Sequence, residues 1–255
     1  KKIQSNLSIK KIDDPFNFDQ CDTKNLNFFN IENINREKYL NLLNQIKISN
    51  FLSNKTGVDL ITMPIDKSLF KKKINFVGMT EHLSMINNRK TMMLLHGDKF
   101  STIPLTTHIN IKDIHKVIKK QKLKTKINLL LKMIKEKQYN LNFKTIKFLC
   151  YNPHCGENRT LGNEDYLIKN TLKLFRNIKG PFSADSAFQK FNKKTLFVST
   201  YHDQALIPFK ALNSKMINIT LGLKYLRLSP AHGTAKDIKF KNKADIKSYI
   251  ECMKI

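Results

Sequence analysis

The sequence predicts an α/β protein, because short apolar runs typical of buried strands alternate along the chain with segments whose apolar residues recur at helical spacing. The clearest strand is Leu196 to Ser199. The clearest helical stripe has apolar residues at i, i+3, i+4 and i+7, and it consists of Ile127, Leu130, Leu131 and Ile134. A length of 255 residues with 41% hydrophobic residues suits one large or two ordinary α/β domains, each with a real core.

The N-terminal part of the chain is predicted to be the less regular part. Lys1 to Asn35 is rich in Asn and Lys and has little periodicity, so we expect irregular structure there. A helix is expected from Arg36, with a core face formed by Tyr39, Leu42, Leu43 and Ile46. A buried strand is expected over Val58 to Met63. Two antiparallel strands joined by a turn are expected at Thr91 to Leu95 and at Ser101 to Leu105.

Helices and strands alternate through the rest of the chain. Asp113 is the expected cap of a helix whose core residues are Ile114, Val117 and Ile118, and Ser183 is the expected cap of a short helix. Thr145 to Cys150 predicts a strand. A helix opened by Asn163 is expected to turn inward Leu167, Leu174, Phe175 and Ile178. The last helix, from about Asp245, is expected to have a core face formed by Ile246, Tyr249, Ile250 and Met253.

The net charge of +26 and the pI near 9.9 would by themselves suggest a nucleic-acid-binding protein. However, the lysines are scattered among many Asn and Ile residues, and short runs such as Lys71 to Lys73 contain no interleaved aromatic residues. We therefore expect no nucleic-acid partner. A positive field would still concentrate phosphorylated ligands and a dinucleotide near the protein.

Composition also bounds the compartment. No apolar run reaches membrane-spanning length and no charged start precedes an apolar core, so we expect a cytoplasmic protein with no membrane partner. The four cysteines show no CxxC motif and no regular spacing, which favours free thiols over a zinc site or a disulfide framework.

Polar residues follow the predicted strand Leu196 to Ser199. His202, Asp203 and Gln204 come just after it, and open α/β sheets bind their ligands at such strand ends. His202 offers an imidazole for a metal ion or a proton, Asp203 a carboxylate, and Lys210 a cation further along the chain. The alternative interpretation is a polar strand cap with a hydrogen-bonded histidine.

Three histidines, His108, His154 and His202, each follow a predicted strand. Residues far apart in sequence can converge on one rim in this way, and three imidazoles with open coordination positions are typical of a catalytic divalent-metal site. The alternative is that each histidine only caps its own strand.

Five motifs follow one another along the chain in an order that resembles a known family. They are GMTEH at Gly78 to His82, TTHINIKDI at Thr106 to Ile114, NPHCGENRTLGNED at Asn152 to Asp165, GPFSAD at Gly180 to Asp185, and the YHDQ to HGTAKD run at Tyr201 to Asp237. Their spacing resembles the 4-hydroxythreonine-4-phosphate dehydrogenase family of pyridoxal phosphate biosynthesis. The resemblance covers the chain from about Val58 to its C-terminus.

The resemblance implies the two-domain α/β/α fold of the isocitrate and isopropylmalate dehydrogenases. We expect residues 1–74 together with 244–255 to form the first domain, and residues 75–243 to form the second domain with the metal and substrate residues. The family begins with a strand and a glycine-rich turn that have no counterpart in this sequence. The first domain is therefore expected to be N-terminally incomplete, either because the chain is a fragment or because that strand has been lost.

The resemblance also implies a set of site residues. It makes His108, His154 and His202 ligands of a divalent metal (Zn, Mg or Co), two from one subunit and His202 from the other, and hence implies a homodimer with a shared active site. The implied substrate contacts are Thr80, Lys210, Asn218 and Arg227. The loop that would wrap NAD or NADP contains Gly233, Thr234, Ala235 and Asp237. Asp203 and Lys210 are the candidates for proton transfer.

The sequence departs from the family pattern near these residues. Met79 occupies the position of a substrate-contacting histidine, and Ala231 occupies the position of an aspartate. The loop between Lys210 and Asn218 is one residue shorter than the family pattern and has Asn213, Ser214 and Lys215 where glycines are usual. We expect impaired catalysis because Met79 cannot donate a hydrogen bond to the substrate, and the missing N-terminal turn would add to the loss.

The function that the resemblance implies is the oxidation of 4-phosphooxy-L-threonine by NAD or NADP, followed by decarboxylation, with a divalent metal as cofactor. Two alternatives remain at this point. The protein could oxidise another four-carbon phosphorylated hydroxy acid, or it could be an inactive dimer or a basic nucleic-acid-binding protein.

Overall fold

An eight-stranded mixed sheet with helices on both faces organises the computed structural model, which describes residues 8–21, 24–31, 37–70, 73–239 and 241–255. A separate two-stranded sheet lies near the start of the chain. The expected helix start at Arg36 and part of the run Lys71 to Lys73 lie outside the described residues.

The strands in the described residues are β1 (Ile9–Ile12), β2 (Leu26–Phe29), β3 (Leu60–Ile61), β4 (Met92–Gly97), β5 (Ser101–Pro104), β6 (Thr145–Leu149), β7 (Ile178–Phe182), β8 (Thr195–Ser199), β9 (Met216–Leu221) and β10 (Arg227–Pro230). The α-helices there are α1 (Lys38–Thr56), α2 (Met79–Ile86), α3 (Lys120–Met133), α4 (Glu164–Leu172), α5 (Ala184–Ala187), α6 (His202–Leu212) and α7 (Lys247–Cys252).

The large sheet has two halves of different character. Its order is β3-β10-β9-β4-β5-β8-β6-β7. Strands β5, β8, β6 and β7 are parallel to one another, whereas β10, β9, β4 and β5 form an antiparallel ladder, and β3 pairs with β10 in parallel. The parallel half collects several strand ends along one edge, which is where α/β proteins place ligands.

Alternating side chains along β8 divide the core between the two faces of the sheet. Leu196 and Val198 pack on the face covered by α3, with residues such as Ile127, whereas Phe197 packs on the other face with Phe209 of α6. All five side chains are fully buried. Burying each of them stabilises the fold by roughly 1.5 to 3 kcal/mol relative to exposure, so β8 is fixed between two helical layers.

The predicted α/β class is confirmed, and so are most of the predicted elements. The antiparallel pair β4 and β5, the strands β6 and β8 and the helices α1 and α3 lie where the sequence pattern places them. Leu130 and Ile127 are fully buried, as the helical stripe requires.

Two predictions in the N-terminal part were wrong. Residues expected to be irregular form β1 and β2, which pair in parallel with Ile9 opposite Leu26. The strand expected over Val58 to Met63 is only Leu60–Ile61, and Val58 and Met63 are 45% and 53% exposed. β3 is an edge strand that pairs with its neighbour β10 only at Leu60 opposite Arg227 and Ile61 opposite Leu228.

The inward faces of two helices and one cap were also wrong. In α4 the buried residues are Asp165, Ile168, Thr171 and Leu172, whereas the expected core residues Leu167 and Leu174 are exposed. The other two expected core residues do turn inward, beyond the end of α4: Phe175 packs against the core and Ile178 is buried. In α7 the expected core residues Ile246, Tyr249, Ile250 and Met253 are exposed and Cys252 is buried. Ser248 fixes this orientation, because its hydroxyl accepts from the Ala231 N–H and donates to the Met216 carbonyl. The segment Ile111–Lys116 is a 3-10 helix capped by Asn110 rather than by Asp113.

The two predicted domains share the large sheet. β3 belongs to the first predicted domain and β10 to the second, and they are hydrogen-bonded neighbours. The large sheet thus includes strands from both predicted domains. The boundaries at residues 74 and 244 remain a prediction. No helix among the described residues combines the length and the hydropathy that a bilayer span needs.

Candidate active site

Three adjacent parallel strands bring the three predicted histidines to one edge of the sheet. β8 lies between β5 and β6 and pairs with both in parallel, so the carboxyl ends of all three strands share that edge. His108 follows β5, His202 follows β8 and His154 follows β6. The strand order therefore places all three histidines along one edge, and their convergence on one metal remains a prediction.

His108 and His202 lie next to each other within one chain. Their ring centroids are 5.8 Å apart. The Nδ1 atom of His108 lies 3.0 Å from Glu81 Oε1, and that of His202 lies 2.6 Å from Asp203 Oδ1. Each ring is thus oriented by a carboxylate at Nδ1, which leaves Nε2 for another ligand.

Glu81 is a residue that the sequence motifs did not single out as functional. It also accepts a hydrogen bond of 2.9 Å from Thr107 Oγ1. Burial opposes its ionisation, but the hydrogen bonds from His108, its own backbone and Thr107 outweigh burial and lower the pKa of Glu81 to about 2. Gly78 makes room for this contact, since a Cβ there would lie 2.5 Å from Glu81 Oε2 and 3.2 Å from His108 Cε1.

His154 lies on a turn of left-handed backbone that follows β6. Five consecutive residues, His154 to Asn158, have φ between +43° and +78°. This conformation costs roughly 1 to 2 kcal/mol per non-glycine residue. Asp165, which is 3% exposed, fixes the start of the turn, because its carboxylate accepts from the N–H groups of Tyr151 and Asn152 at 2.6 and 2.9 Å. Strain held by buried hydrogen bonds is typical of functional sites.

The histidines have the chemistry of metal ligands but do not form a complete set within one chain. The Nδ1 of His154 also faces a carboxylate, with Asp185 Oδ2 at 3.9 Å, so all three imidazoles share the carboxylate–histidine pattern common around protein metals. Among the described residues, however, no three His, Cys, Asp or Glu side chains converge closely enough to hold a metal ion. The three imidazoles are therefore suitable as ligands of a divalent metal, and both their joint use at one metal and the assignment of His202 to a second subunit remain predictions.

A cleft of about 450 Å³ lies beside His108, between the sheet and the segments around Pro64 and His232. Its floor is one face of β4, β9 and β10. Cross-strand register places Leu95, Asn218 and Ser229 in one row across the floor. The next row consists of Met93, Thr220 and Arg227. The two-residue period of the strands thus points Asn218 and Arg227 into the same cavity.

Arg227 is a buried cation in this cleft. It is 3% exposed, and its guanidinium donates to Thr62 Oγ1 from Nε at 3.1 Å and to Thr220 Oγ1 from Nη1 at 3.0 Å. No carboxylate lies within ion-pair distance of it among the described residues. Burial lowers the pKa of Arg227 to about 10, which leaves it charged at neutral pH. A buried charge held only by hydroxyl groups favours an anionic ligand.

The other predicted substrate residues surround Arg227. Asn218 Oδ1 is buried without a hydrogen-bond partner among the described residues, so it can accept from a ligand. Thr80, which is 9% exposed, lines the cleft with its Oγ1 3.3 Å from Thr220 Oγ1. Lys210 also lines the cleft, from the last turn of α6. Asp203, the other proton-transfer candidate, is on the first turn of α6 and contacts His202.

The predicted dinucleotide loop forms one wall of the cleft. Gly233 and Thr234 line it, and a Cβ at Gly233 would meet no atom within 4 Å, so there is open space beside the backbone. Ala235 has left-handed backbone with φ +45°, and Asp237 is exposed in the short helix that follows. The loop is tied to the opposite wall, because Lys236 forms an ion pair with Asp66.

Sequence patterns could not have identified several of these contributors. Thr62 and Thr220 hold Arg227, and Asp66 and Lys67 line the cleft. Thr62, Asp66 and Lys67 lie outside the five motifs, and Thr220 lies within the last one without being singled out. Register and loop packing bring them to the site. The strand pattern of β9 offered one signal, since Thr220 has the same parity as Asn218.

Comparison with known proteins gives a consistent relationship. The sequence model of a family described as "Pyridoxal phosphate biosynthetic protein PdxA" matches residues 5–255. The chain is 38% identical over 204 residues to the 4-hydroxythreonine-4-phosphate dehydrogenase of Sulfurihydrogenibium sp. The aligned residues are 77% of this chain and 63% of that protein. It is 39% identical over 192 residues to the protein of the same name from Hydrogenobaculum sp., which covers 74% of this chain and 61% of that protein. The chain thus spans less than two thirds of the length of these relatives.

The fold is also that of solved proteins of this name. The crystal structure of 4-hydroxythreonine-4-phosphate dehydrogenase from Klebsiella pneumoniae superimposes with a TM-score of 0.73 at 23% sequence identity, covering 95% of this chain and 80% of that one. At that identity the likeness concerns the fold alone, and it agrees with the predicted α/β class.

Proposed function

Because the chain belongs to the PdxA family of pyridoxal phosphate biosynthetic proteins, we propose that it oxidises 4-phosphooxy-L-threonine with NAD or NADP as acceptor, and that the product loses CO₂. The observation that carries the proposal is Arg227, a buried cation that lines the cleft and has only hydroxyl partners among the described residues. A substrate with a phosphate and a carboxylate supplies the negatively charged partner that Arg227 lacks among the described residues.

The cleft residues bind and orient the substrate in this proposal. Arg227 contacts its anionic groups, Lys210 contacts the reacting hydroxyl, and the orphan acceptor Asn218 Oδ1 takes a hydrogen bond from a hydroxyl or ammonium group. Thr80 provides a further hydroxyl at the side next to Glu81 and His108. Fixing several polar arms at once places the reacting carbon at the histidine edge, which is the positional part of catalysis.

His108, His154 and His202 would hold the divalent metal through Nε2, because a carboxylate faces Nδ1 of each ring. When bound, the metal polarises the substrate hydroxyl and the nicotinamide accepts a hydride. Lys210 is the better-placed proton acceptor, since Asp203 orients the His202 ring. With Lys210 as the neutral amine, loss of the hydroxyl proton to Lys210 and of the C–H hydride leaves a β-keto acid. Its bond to the carboxylate carbon then breaks with release of CO₂, and the electron pair left on the adjacent carbon takes up the proton that Lys210 holds.

The site is completed by a second copy of the chain in this proposal. The support is that the described residues of one chain bring no three metal-binding side chains together, although three suitable histidines share one sheet edge. A homodimer in which each subunit contributes part of the ligand set accommodates both observations.

The test is nicotinamide reduction by the full chain with 4-phosphooxy-L-threonine and added Zn²⁺, Mg²⁺ or Co²⁺. Arg227→Met should lower kcat/KM roughly 10- to 150-fold, because it removes charge-assisted hydrogen bonds of about 1.5 to 3 kcal/mol. Arg176→Met is the matched control, since Arg176 is an exposed arginine outside the cleft. Turnover of other four-carbon phosphorylated hydroxy acids but not of this substrate would contradict the assignment, and so would equal losses in both variants.

A further inference from the structure

A chain of buried hydrogen bonds joins the three strand ends that carry the histidines. Thr106, just before His108, donates from Oγ1 to the Thr200 carbonyl at 2.7 Å. Thr200, just before His202, donates from its backbone N–H and its Oγ1 to Gln204 Oε1 at 2.8 and 3.0 Å. Gln204 Nε2 in turn donates at 2.7 Å to the carbonyl of Cys150, which follows β6 and lies four residues before His154.

Gln204 is the central member of this chain. It lies in the first turn of α6 and is 9% exposed, and its partners Thr200 and Cys150 are each 2% exposed. Its amide uses both ends at once, since the oxygen accepts from the end of β8 and the nitrogen donates to the end of β6. Only an amide side chain of this length offers both an acceptor and a donor there.

The same contacts extend to the carboxylate that faces His154. The Cys150 N–H donates to the Phe182 carbonyl at 2.8 Å, and Phe182 ends β7 just before α5, which carries Asp185. This series of hydrogen bonds therefore links every strand that delivers a histidine. It also reaches the segment that carries Asp185, the carboxylate that faces His154. Because these hydrogen bonds are buried, breaking one leaves a polar group without a partner. Water cannot replace the lost hydrogen bond without a cost in free energy.

We propose that Gln204 is a positioning residue for the metal sites, because it ties the end of β6, which carries His154 of one site, to the end of β8, which carries the His202 that completes the site of the other subunit. This inference rests on the proposed function, in which these histidines bind a divalent metal. Gln204 contacts neither histidine side chain, so it acts through the backbone of Thr200 and Cys150.

The experiment is titration of Co²⁺ into the metal-free full chain, followed by calorimetry and by the d–d absorption of the bound ion. Gln204→Met keeps the side-chain length but removes both hydrogen bonds, and it should weaken Co²⁺ binding roughly 10- to 100-fold and alter the spectrum at saturating metal. Gln204→Glu retains the acceptor for Thr200 but loses the donor to Cys150, so it should fall between the parent and Gln204→Met.

Asn213→Leu is the matched control. Asn213 is 5% exposed at the other end of α6, and its amide also bridges backbone groups, accepting from Lys99 at 2.8 Å and donating to Phe209 at 3.0 Å. This variant should lose stability without a change in Co²⁺ affinity or spectrum. Parental affinity in Gln204→Met, or an equal loss in Asn213→Leu, would overturn the proposal.

A metal-free measurement separates this inference from the proposed function. In ¹H–¹⁵N spectra of the imidazole rings, Gln204→Met should shift the resonances of His154 and His202, and Asn213→Leu should not. A parent chain that binds no Co²⁺ and reduces no nicotinamide would refute the proposed function, whereas unshifted imidazole resonances in Gln204→Met would refute the positioning role.

Discussion

Two side chains on the floor of the cleft, Arg227 and Asn218, have bonding capacity that the described residues do not use. Arg227 is charged, buried and partnered by hydroxyl groups, and Asn218 Oδ1 has no partner. Burying such groups is costly unless a ligand supplies the missing bonds. The register of β9 and β10 points both side chains into the same cleft. Together they indicate a ligand with an anionic group and a hydrogen-bond donor, which is more specific than what the net charge of +26 indicates.

Met79 lines the cleft with a side chain that has little hydrogen-bonding capacity. It begins α2 and lines the cleft beside Thr80, where a thioether can offer a ligand only a weak acceptor. His82 does not replace it, because its ring packs against Phe76 at 5.2 Å between centroids, and His82 is absent from the described cleft lining.

We predict that Met79→His raises kcat/KM for 4-phosphooxy-L-threonine roughly 10- to 150-fold, because a hydrogen bond to a charged group contributes about 1.5 to 3 kcal/mol. The measurement is steady-state nicotinamide reduction at saturating metal. Met63→His is the control, since Met63 lines the same cleft from the opposite segment. Equal activity of the parent and Met79→His would show that methionine is tolerated and that catalysis is not impaired at this position.

Among the elements, the segment Ala231 to Lys239 forms one wall of the cleft. Its contact with the opposite wall is the ion pair between Lys236 and Asp66. Hydrogen bonds from Lys236 and then from Ser68 lower the pKa of Asp66 from 3.8 to about 2. The ionised carboxylate is therefore favoured when the loop is in place, and the contribution of the pair is fully present above pH 3.8 and lost as the pH falls towards 2.

We predict that Asp66→Asn speeds amide hydrogen exchange in residues 231–239 at neutral pH, and that the difference from the parent disappears as the pH falls through 3.8 towards 2. Comparing both proteins at each pH removes the intrinsic pH dependence of exchange. Asp245→Asn is the control, because Asp245 pairs with its near neighbour Lys247 and bridges no wall of the cleft. A difference that persists unchanged at low pH would show that the ion pair does not hold this loop.

For the whole molecule, the open question is how the three histidines are divided between subunits. Within one chain the rings of His108 and His202 are 5.8 Å apart, while His154 lies on its own turn beside Asp185. In the proposed homodimer His202 completes the site of the other subunit, so the adjacency of His108 and His202 within a chain would not itself define one metal site.

We predict that mixing a His108→Ala chain with a His202→Ala chain restores metal binding in part of the sites, because one kind of site in the heterodimer keeps a full ligand set. The measurements are metal content by elemental analysis and mass by light scattering at micromolar concentration. Each variant alone should lose most of its metal. Failure of the mixture to regain any metal, with dimers still present, would place His108 and His202 in one site of one chain, and a monomeric parent would exclude sharing.

The sequence by itself determined the α/β class, the positions of β4, β5, β6 and β8, and the arrival of His108, His154 and His202 at strand ends, because side-chain periodicity and strand length are local properties. It did not determine which face of α4 or α7 turns inward, since Ser248 and the neighbouring strands select that face through contacts distant in sequence. It likewise missed β1 and β2, whose pairing supplies the order that their composition lacks.

The tertiary structure alone decided the partners of the functional groups. The order β5-β8-β6 places three histidines on one edge, and the register of β9 with β10 puts Asn218 and Arg227 on the same face in neighbouring rows. Loop packing brings Glu81 to His108 and Asp66 to Lys236. These contacts join residues separated by tens of positions, and their energies depend on burial and geometry that no local pattern encodes. Sequence motifs can therefore identify the candidate site residues. The hydrogen bonds that orient these residues, including those of Gln204, form only in the folded chain.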